Sequence, residues 1–516
     1  MTTLLPLPFA LPLIVGAVGL LVRRHRGVQR VLTATLFAVL LAISITFVAA
    51  TSDGEVFAVV IGAWPVQLGI PFAVDGFAAL MMLTVTVSAT LALVFAISRG
   101  EDRHATFHPM VAVLIGGVLG AMSTADLFNL FVTFEVMLIG SYVLLTLRGG
   151  RRQVRAGTIY VTVSLLASTA FLVGIGLVYG TAGTVAFGQL HGIVERVPES
   201  AVGAWIVLAA IAVKASLVPM HTYLPRTYVE ASPGVTALFS GLLTKAGVYV
   251  LFRLWSILFA GGDTGSHTIW LAVAGATMLI GVFGAVGRGD MRGILAYHMV
   301  SQVGYLILPL GLWTVAGLTA GIVYLMQYVL VKGALFVAVG TVETLTGTGK
   351  LKQLGGMVRT RPWLAMAFLF PALALAGIPP TSGFVGKYLL IRAAFVDAHW
   401  VAGGVAVFVS LFTLLSMVKI WNGAFWGELT EWSRNEPAAA RVGLRPVPAG
   451  GAGDEEPPVR RAASNGRVAG MVAPALLVAV AVLVLGIGAQ PLIELVTPAA
   501  EGLLDPTVYV ETVGSL

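Results

Sequence analysis

Long apolar runs recur along the whole 516-residue chain, near residues 3–22, 29–49, 70–97, 107–124, 126–147, 156–180, 200–220, 234–261, 267–286, 293–312, 315–345, 362–396, 400–425 and 468–492. About 20 apolar residues in a helix cross a bilayer core, and only a helix or a closed barrel satisfies every backbone N–H and C=O there. The pattern predicts an all-α polytopic membrane protein with about fourteen spans. Only 11% of residues are charged, against roughly 25% in soluble domains. The first run has no basic residues before it and is followed by Arg23, Arg24 and Arg26, so it is expected to be a retained helix rather than a leader.

Basic residues test the topology. If the N-terminus is outside, the loops 23–30, 98–106, 148–155, 221–233, 287–292, 346–361 and 426–467 face the cytoplasm, and they hold 23 of the 31 lysines and arginines. The opposite loops hold one, Arg196. Such a bias is the positive-inside signature and predicts both termini on the outer side. It also accounts for the net charge of +7 without a nucleic-acid partner. Two loops stand out. Residues 181–199 carry enough apolar side chains to suggest a short helix lying at the interface, whereas 426–467 reads as a flexible cytoplasmic linker rich in Pro, Gly and Ala.

Several chemistries are excluded or left without support. The chain has no cysteine, hence no thiolate-held cluster and no disulfide. His104 and His108 have a spacing that could place two ligands on one helix face, but their position suggests a pair of solvated loop histidines. Gly347–Lys350 (GTGK) lacks the spacing of a phosphate-binding loop and reads as a plain loop. No metal and no cofactor are expected.

The polar residues inside the spans are what the chain would not retain without a use. Glu135 lies roughly 10 Å from the start of its apolar run and about 18 Å from its end. Placing a charge there costs at least about 2.5–3.5 kcal/mol. The bland reading is a protonated packing residue. Lys214, Lys245, Lys332 and Lys387 sit in four other spans, and an acid with four lysines suggests a proton route. Low-dielectric surroundings disfavour an ammonium while an adjacent carboxylate favours it, so a Glu–Lys pair that opens and closes would release and capture protons. Lys214 precedes Pro219, and Pro379, Pro380 and Gly383 precede Lys387. Two proline-interrupted spans, one in each half, suggest an internal repeat of the kind found in transporters. Lys419, near a cytoplasmic helix end, is expected to snorkel to the interface. Arg253 and Arg392 are open between snorkelling and a role, Asp75 reads as interfacial, and His298 either relays protons or hydrogen-bonds Ser301 or Gln302.

The segments FNLFVTFEVMLIGSYVLL, KASLVPMHTYLPRTYVEASPGVTALFSGLLTKAGVYVLFR, LAYHMVSQVGY and PPTSGFVGKYLL resemble the antiporter-like proton-channel subunits shared by respiratory complex I and the Mrp-type cation/proton antiporters. The likeness covers roughly residues 70–425 and is nearest to the D-type subunits of the Mrp branch, because a lysine follows SGFVG where the M-type complex I subunit has glutamate. It implies two inverted five-helix repeats, spans 4–8 and 9–13, with broken helices in spans 7 and 12. The units are then residues 1–106 (three N-terminal spans), 107–261 and 267–425 (the two repeats), 426–467 (loop) and 468–516 (last span and tail). It also implies that Glu135 pairs with Lys214 and that protons pass along Lys245, Lys332 and Lys387. Relatives often carry histidines four, five or eight residues before the span-11 lysine. Here Tyr328, Gln327 and Tyr324 stand there, groups that order water but do not titrate near neutral pH. The implied partners are other subunits of a hetero-oligomeric antiporter, protons, Na⁺ and the lipid bilayer of the cell membrane. The alternative is a proton-pumping M/N-type subunit of a complex I-like NADH–quinone oxidoreductase or membrane hydrogenase. A structural scaffold and a stand-alone solute carrier are more distant readings.

Overall fold

A computed structural model describes residues 1–66, 69–262, 264–428 and 465–516. The main helices are α1 Leu7–Leu21, α2 Arg26–Ala50, α3 Gly76–Arg99, α4 Phe107–Ser123, α5 Leu127–Leu145, α6 Arg151–Ala182, α7 Ala201–Lys214, α8 Pro233–Leu258, α9 Thr264–Val286, α10 Met291–Leu312, α11 Val315–Thr346, α12 Pro362–Ala376, α13 Ser382–Val396, α14 Trp400–Ile420, α15 Asn465–Ile487, α16 Ala489–Leu504 and α17 Thr507–Gly514. Among the described residues eleven helices are long and apolar enough to cross a membrane, and α4 and α12 are shorter apolar helices. Most of the linker expected at 426–467 lies outside the described residues.

Short polar signals set the helix starts. Asp75, Asp126 and Asp290 accept from the backbone N–H of Ala78, Asn129 and Gly293 at the starts of α3, α5 and α10, satisfying donors that a helix leaves unpaired. The core is not evenly shared. Every residue of α8 is buried, and α10 and α11 are nearly as enclosed. A helix apolar on all sides belongs inside a bundle, and these three carry Lys245, His298 and Lys332.

Both expected breaks are present. α7 stops at Lys214, Ser216 has φ 65°, and the Tyr223 hydroxyl meets the carbonyls of Val213 and Lys214 at 3.2 and 3.4 Å. The second break separates α12 from α13, and there Lys387 Nζ reaches the Ala376 carbonyl at 3.5 Å. A Cβ on Gly383 would lie 1.7 Å from the Ala374 carbonyl oxygen, so only glycine lets the two half-helices pass.

The internal repeat has a structural signature. Asp126, at the start of α5, forms a β-bridge with Ala186, beyond the end of α6; Asp290, at the start of α10, forms one with Lys350, beyond the end of α11. Each bridge is a pair of backbone bonds, Leu127 to Val185 and Phe187 to Ala125 in one, Met291 to Gly349 and Leu351 to Gly289 in the other. Thr184 bonds Gln189, and Thr348 bonds Gln353, each at 2.6 Å. The segments share the pattern G-T-x₄-Q-L at 183–190 and 347–354, and Asp290 follows Asp126 by 164 residues, as Gly347 follows Gly183. The clamps sit at opposite ends of the bundle: one adjoins the C-terminal end of α6, and the other shares a cavity with Arg152 at its N-terminal end. GTGK is thus a loop, as expected, and one of two equivalent clamps.

Two expectations are corrected, and two further features appear that the hydropathy pattern did not carry. The 181–199 segment is no single interfacial helix. Gly192 (φ 60°) divides it into two short turns, Phe187–Leu190 and Ile193–Arg196, and Gly188 packs against α17. The tail after residue 487 is not a simple extension, since α16 and α17 fold back, α16 onto α3 and α11 and α17 onto the Phe187–Leu190 turn. The loop before α3 contains an antiparallel pair, β1 Phe57–Val60 and β2 Pro71–Val74, that hydropathy did not reveal. His104 and His108 are not a solvated pair. His104 is exposed, but His108 is 1% exposed with Nε2 3.5 Å from Asp102 Oδ2.

Candidate functional site: a buried row of ionisable side chains

Glu135 comes from α5, Lys214 from the broken end of α7, Lys245 from α8, Lys332 from α11, His298 from α10 and Lys387 from α13. The four lysines and His298 are all buried, Lys245, Lys332 and His298 completely. Glu135 is less enclosed than expected: its side chain keeps 27% of its accessible surface, because it lies between α5 and α6 at the edge of this chain's bundle.

The acid and the first lysine are brought together. Lys214 Nζ is 3.8 Å from Glu135 Oε1, and Ser168 of α6 bridges them, accepting from Lys214 at 2.8 Å and donating to Glu135. Phe134 lies 5.3 Å from Lys214 Nζ and packs edge-on with Phe171. The break that follows Lys214 lays Ala215 against α8 at Gly247, where a Cβ would meet it at about 3.0 Å, two residues from Lys245.

Lys245 donates to the Ser240 carbonyl and to Thr244 Oγ1, and stands 4.6 Å from the centre of the Tyr328 ring. From there an aromatic column crosses to the second break: Tyr328 stacks on Tyr324 at 6.1 Å, Tyr324 meets Tyr305 at 5.8 Å, and Lys387 Nζ lies 4.4 Å from Tyr305. Lys332 lies within electrostatic reach of Lys245, and His298 within reach of both Lys332 and Lys387. The tyrosine column thus runs from Lys245 on α8 to Lys387 on α13.

Of the polar groups along this path, some are tied down and others are not. Tyr324 donates to Gln302 Oε1, and Gln302 reaches Thr413 at 3.4 Å. Lys387 reaches Ser410 at 3.2 Å, and Ser410 meets Tyr305 at 2.9 Å. Lys332 Nζ, both His298 nitrogens, the Gln327 amide and the Tyr328 hydroxyl have no protein hydrogen-bond partner. His298 thus bonds neither Ser301 nor Gln302. Buried polar atoms are normally satisfied, and a concentration of unsatisfied ones around Lys332 marks a polar interior that packing alone does not explain.

Other candidates fall outside the row. Arg253 pairs with Asp75, so neither is a lone interfacial group. Lys419 is exposed and reaches the last carbonyls around α9, Val286 and Arg288, at 2.9 and 2.6 Å. Arg392 is exposed. Sequence reasoning missed Ser168, Tyr305, Ser410 and Thr413, and gave Gln302 the wrong partner, since it bonds Tyr324 and Thr413. The usable signal for Ser410 and Thr413 was their spacing of three on one face of α14, but polar residues at that spacing are common in buried helices.

A bundle with two clamped repeats, two lysine-bearing breaks and an ionisable row through its middle defines a polytopic ion-translocation subunit fold. The chain belongs to the NADH:quinone oxidoreductase/Mrp antiporter transmembrane family, whose pattern matches residues 124–413. It is 37% identical to the D-type subunit of the Na⁺/H⁺ antiporter of Alkalihalophilus pseudofirmus across 99% of both chains. In fold it is similar to a chain of the Mrp complex from Dietzia sp., with TM-score 0.91, 40% identity and complete coverage of both. A chain of respiratory complex I from Thermus thermophilus shares the fold at TM-score 0.77 and 24% identity, over 97% of this chain and 99% of that one.

Proposed function

We propose that this chain is the proton-translocating subunit of a multisubunit Na⁺/H⁺ antiporter in the cell membrane. The relay runs through Glu135, Lys214, Lys245, Lys332, His298 and Lys387. The observation that carries this reading is the Glu135–Lys214 pair at one end of a buried, partly unsatisfied ionisable row. Full-length similarity to a D-type antiporter subunit supports the choice of transporter over enzyme. Moving one charge against the membrane potential takes about 2.3 kcal/mol per 100 mV, comparable with making or breaking a partly buried ion pair, so local charge coupling is an adequate driver.

In this reading the repeats are 107–261 and 267–425, flanked by three N-terminal spans and a C-terminal span with its folded tail. The end of the bundle holding Asp290, Arg292, Lys350, Lys352 and Arg152 is the cytoplasmic one, which puts both termini outside. The open side of Glu135 is covered by another subunit of the assembly, because a carboxylate at mid-membrane depth is costly against lipid.

The test is Na⁺-driven proton movement in everted vesicles carrying the whole antiporter. Lys214→Ala is expected to abolish it, and full activity in that variant would end the proposal. The likeness of fold to a complex I chain supports a second reading, a pumping subunit of a quinone- or hydrogenase-linked assembly. Neighbouring genes for the remaining Mrp-type subunits favour the antiporter, whereas genes for quinone oxidoreductase or hydrogenase subunits favour the second.

A further inference from the structure

We infer that the Ser168 hydroxyl is the atom through which Glu135 and Lys214 exchange a proton, so that the acid–lysine pair communicates through a third residue. The inference rests on the relay reading above and adds a member to it. Lys214 Nζ and Glu135 Oε1 stand 3.8 Å apart, beyond hydrogen-bond length. Ser168 fills the gap, accepting from Lys214 at 2.8 Å and donating to Glu135. A hydroxyl carries one donor hydrogen and two acceptor lone pairs, so it serves both partners at once. At 5% exposure it is buried, and the Phe134 ring, 5.3 Å from Lys214 Nζ, packs edge-on with Phe171 beside the pair.

The repeat register gives an independent reason to single out this serine. α6 and α11 each end at a left-handed glycine, Gly183 and Gly347, that opens the clamp. Ser168 lies fifteen residues before the first, and Lys332 fifteen residues before the second. The first repeat therefore carries a hydroxyl where the second carries a relay lysine. Tyr160 and Tyr324 correspond in the same way, and each meets its partner on the preceding helix, Ser141 and Tyr305 respectively. A third charge at position 168 would crowd a site already holding a carboxylate and an ammonium; a hydroxyl connects them without adding one.

The step balances. An N–H bond of the Lys214 ammonium breaks as an O–H bond to Ser168 forms, and the original Ser168 O–H bond breaks as one to Glu135 forms. Lys214 is left as a neutral amine, Glu135 as a neutral acid and Ser168 as a hydroxyl donating towards Lys214. Rotation about its Cβ–Oγ bond resets it. The titratable groups facing Glu135 are Lys214 on α7 and Tyr142 on α5.

The experiment uses the assembled antiporter in everted vesicles, with assembly followed by native gel. Ser168→Ala is expected to lower Na⁺-driven proton movement about tenfold and to displace its pH profile, leaving the apparent KM for Na⁺ unchanged. Ser168→Thr, which keeps the hydroxyl, restores rate and profile. Wild-type rate and profile in Ser168→Ala overturns the inference, as does a slowed Ser168→Ala with an unmoved profile, which is the behaviour of a packing residue. If Ser168→Ala does not assemble, Ser168→Cys decides: its weaker donor gives a slower rate with a displaced profile, and wild-type behaviour overturns the inference. Lys214→Ala is run in parallel. Its loss of activity with an unaffected Ser168→Ala rejects the serine alone, whereas its full activity rejects the relay itself.

Discussion

Arg253 Nη2 donates to both carboxylate oxygens of Asp75 at 2.7 Å, across 178 residues of chain. The pair joins the start of α3 to the C-terminal part of α8, and Tyr509 of α17 lies 4.4 Å above the guanidinium, so the folded tail completes the site. Asp75 also caps α3, which ties the ion pair to a helix end.

Arg253→Ala leaves Asp75 buried and unpaired, and removing one member of a buried pair typically costs about 3–5 kcal/mol. The expected result is a clearly lower melting temperature in detergent, whereas replacing both residues by apolar ones of similar volume recovers part of the loss. Fluorescence-detected melting of the purified assembly makes the comparison.

Tyr324→Phe keeps the ring between Tyr328 and Tyr305 and deletes only the hydroxyl that bonds Gln302. Transport is expected to slow by up to about tenfold, the value of one lost hydrogen bond. Tyr328→Phe removes a hydroxyl with no protein partner and is expected to do less. Initial rates in vesicles of matched expression measure the difference.

Asp102, in the turn between α3 and α4, supplies a pH prediction. Burial alone would raise its pKa, but His108 and Arg30 beside the carboxylate hold it at about 2. An aspartate is ordinarily near 3.9. A depressed folded-state pKa gives stability that is present above about pH 4 and lost as pH falls through about 2. Melting temperature should fall over that window in the native protein, and Asp102→Asn should flatten the dependence. An unchanged slope in Asp102→Asn would remove the assignment.

Gly383→Ala places a Cβ 1.7 Å from the Ala374 carbonyl oxygen, a backbone atom that cannot swing aside. Overpacking of this kind costs about 1–3 kcal/mol or more, and the shift falls on the break that positions Lys387. Both melting temperature and transport are expected to drop together. Gly404→Ala, with open space around its Cβ position, is the control expected to stay near wild type in stability.

Much of this molecule is legible along the chain because the membrane enforces local rules. Twenty apolar residues in a row announce a helix, an aspartate before the run caps it, and arginines gather on one side. A lone acid such as Glu135 and lysines such as Lys332 are conspicuous against that background because they are expensive there. Ser168 was not conspicuous. A serine within an apolar helix costs little, often bonds its own backbone, and looks the same whether or not it bridges two charges. His108 misled for the opposite reason, since its neighbours in sequence are loop residues but its neighbours in space are Asp102 and the interior.

The sequence by itself determined where most of the spans run, where two of them break and which titratable side chains lie inside them, since hydropathy, capping and proline act within a few residues. Only the tertiary structure decided which of those side chains meet. The Asp75–Arg253 pair, the Ser168 bridge and the tyrosine column depend on how each helix is rotated about its axis, and that rotation is fixed by packing against helices far away in the chain. The G-T-x₄-Q-L repeat belongs to both levels: its letters stand in the sequence, but that it clamps each repeat at opposite ends of the bundle emerges only when the backbone closes on itself.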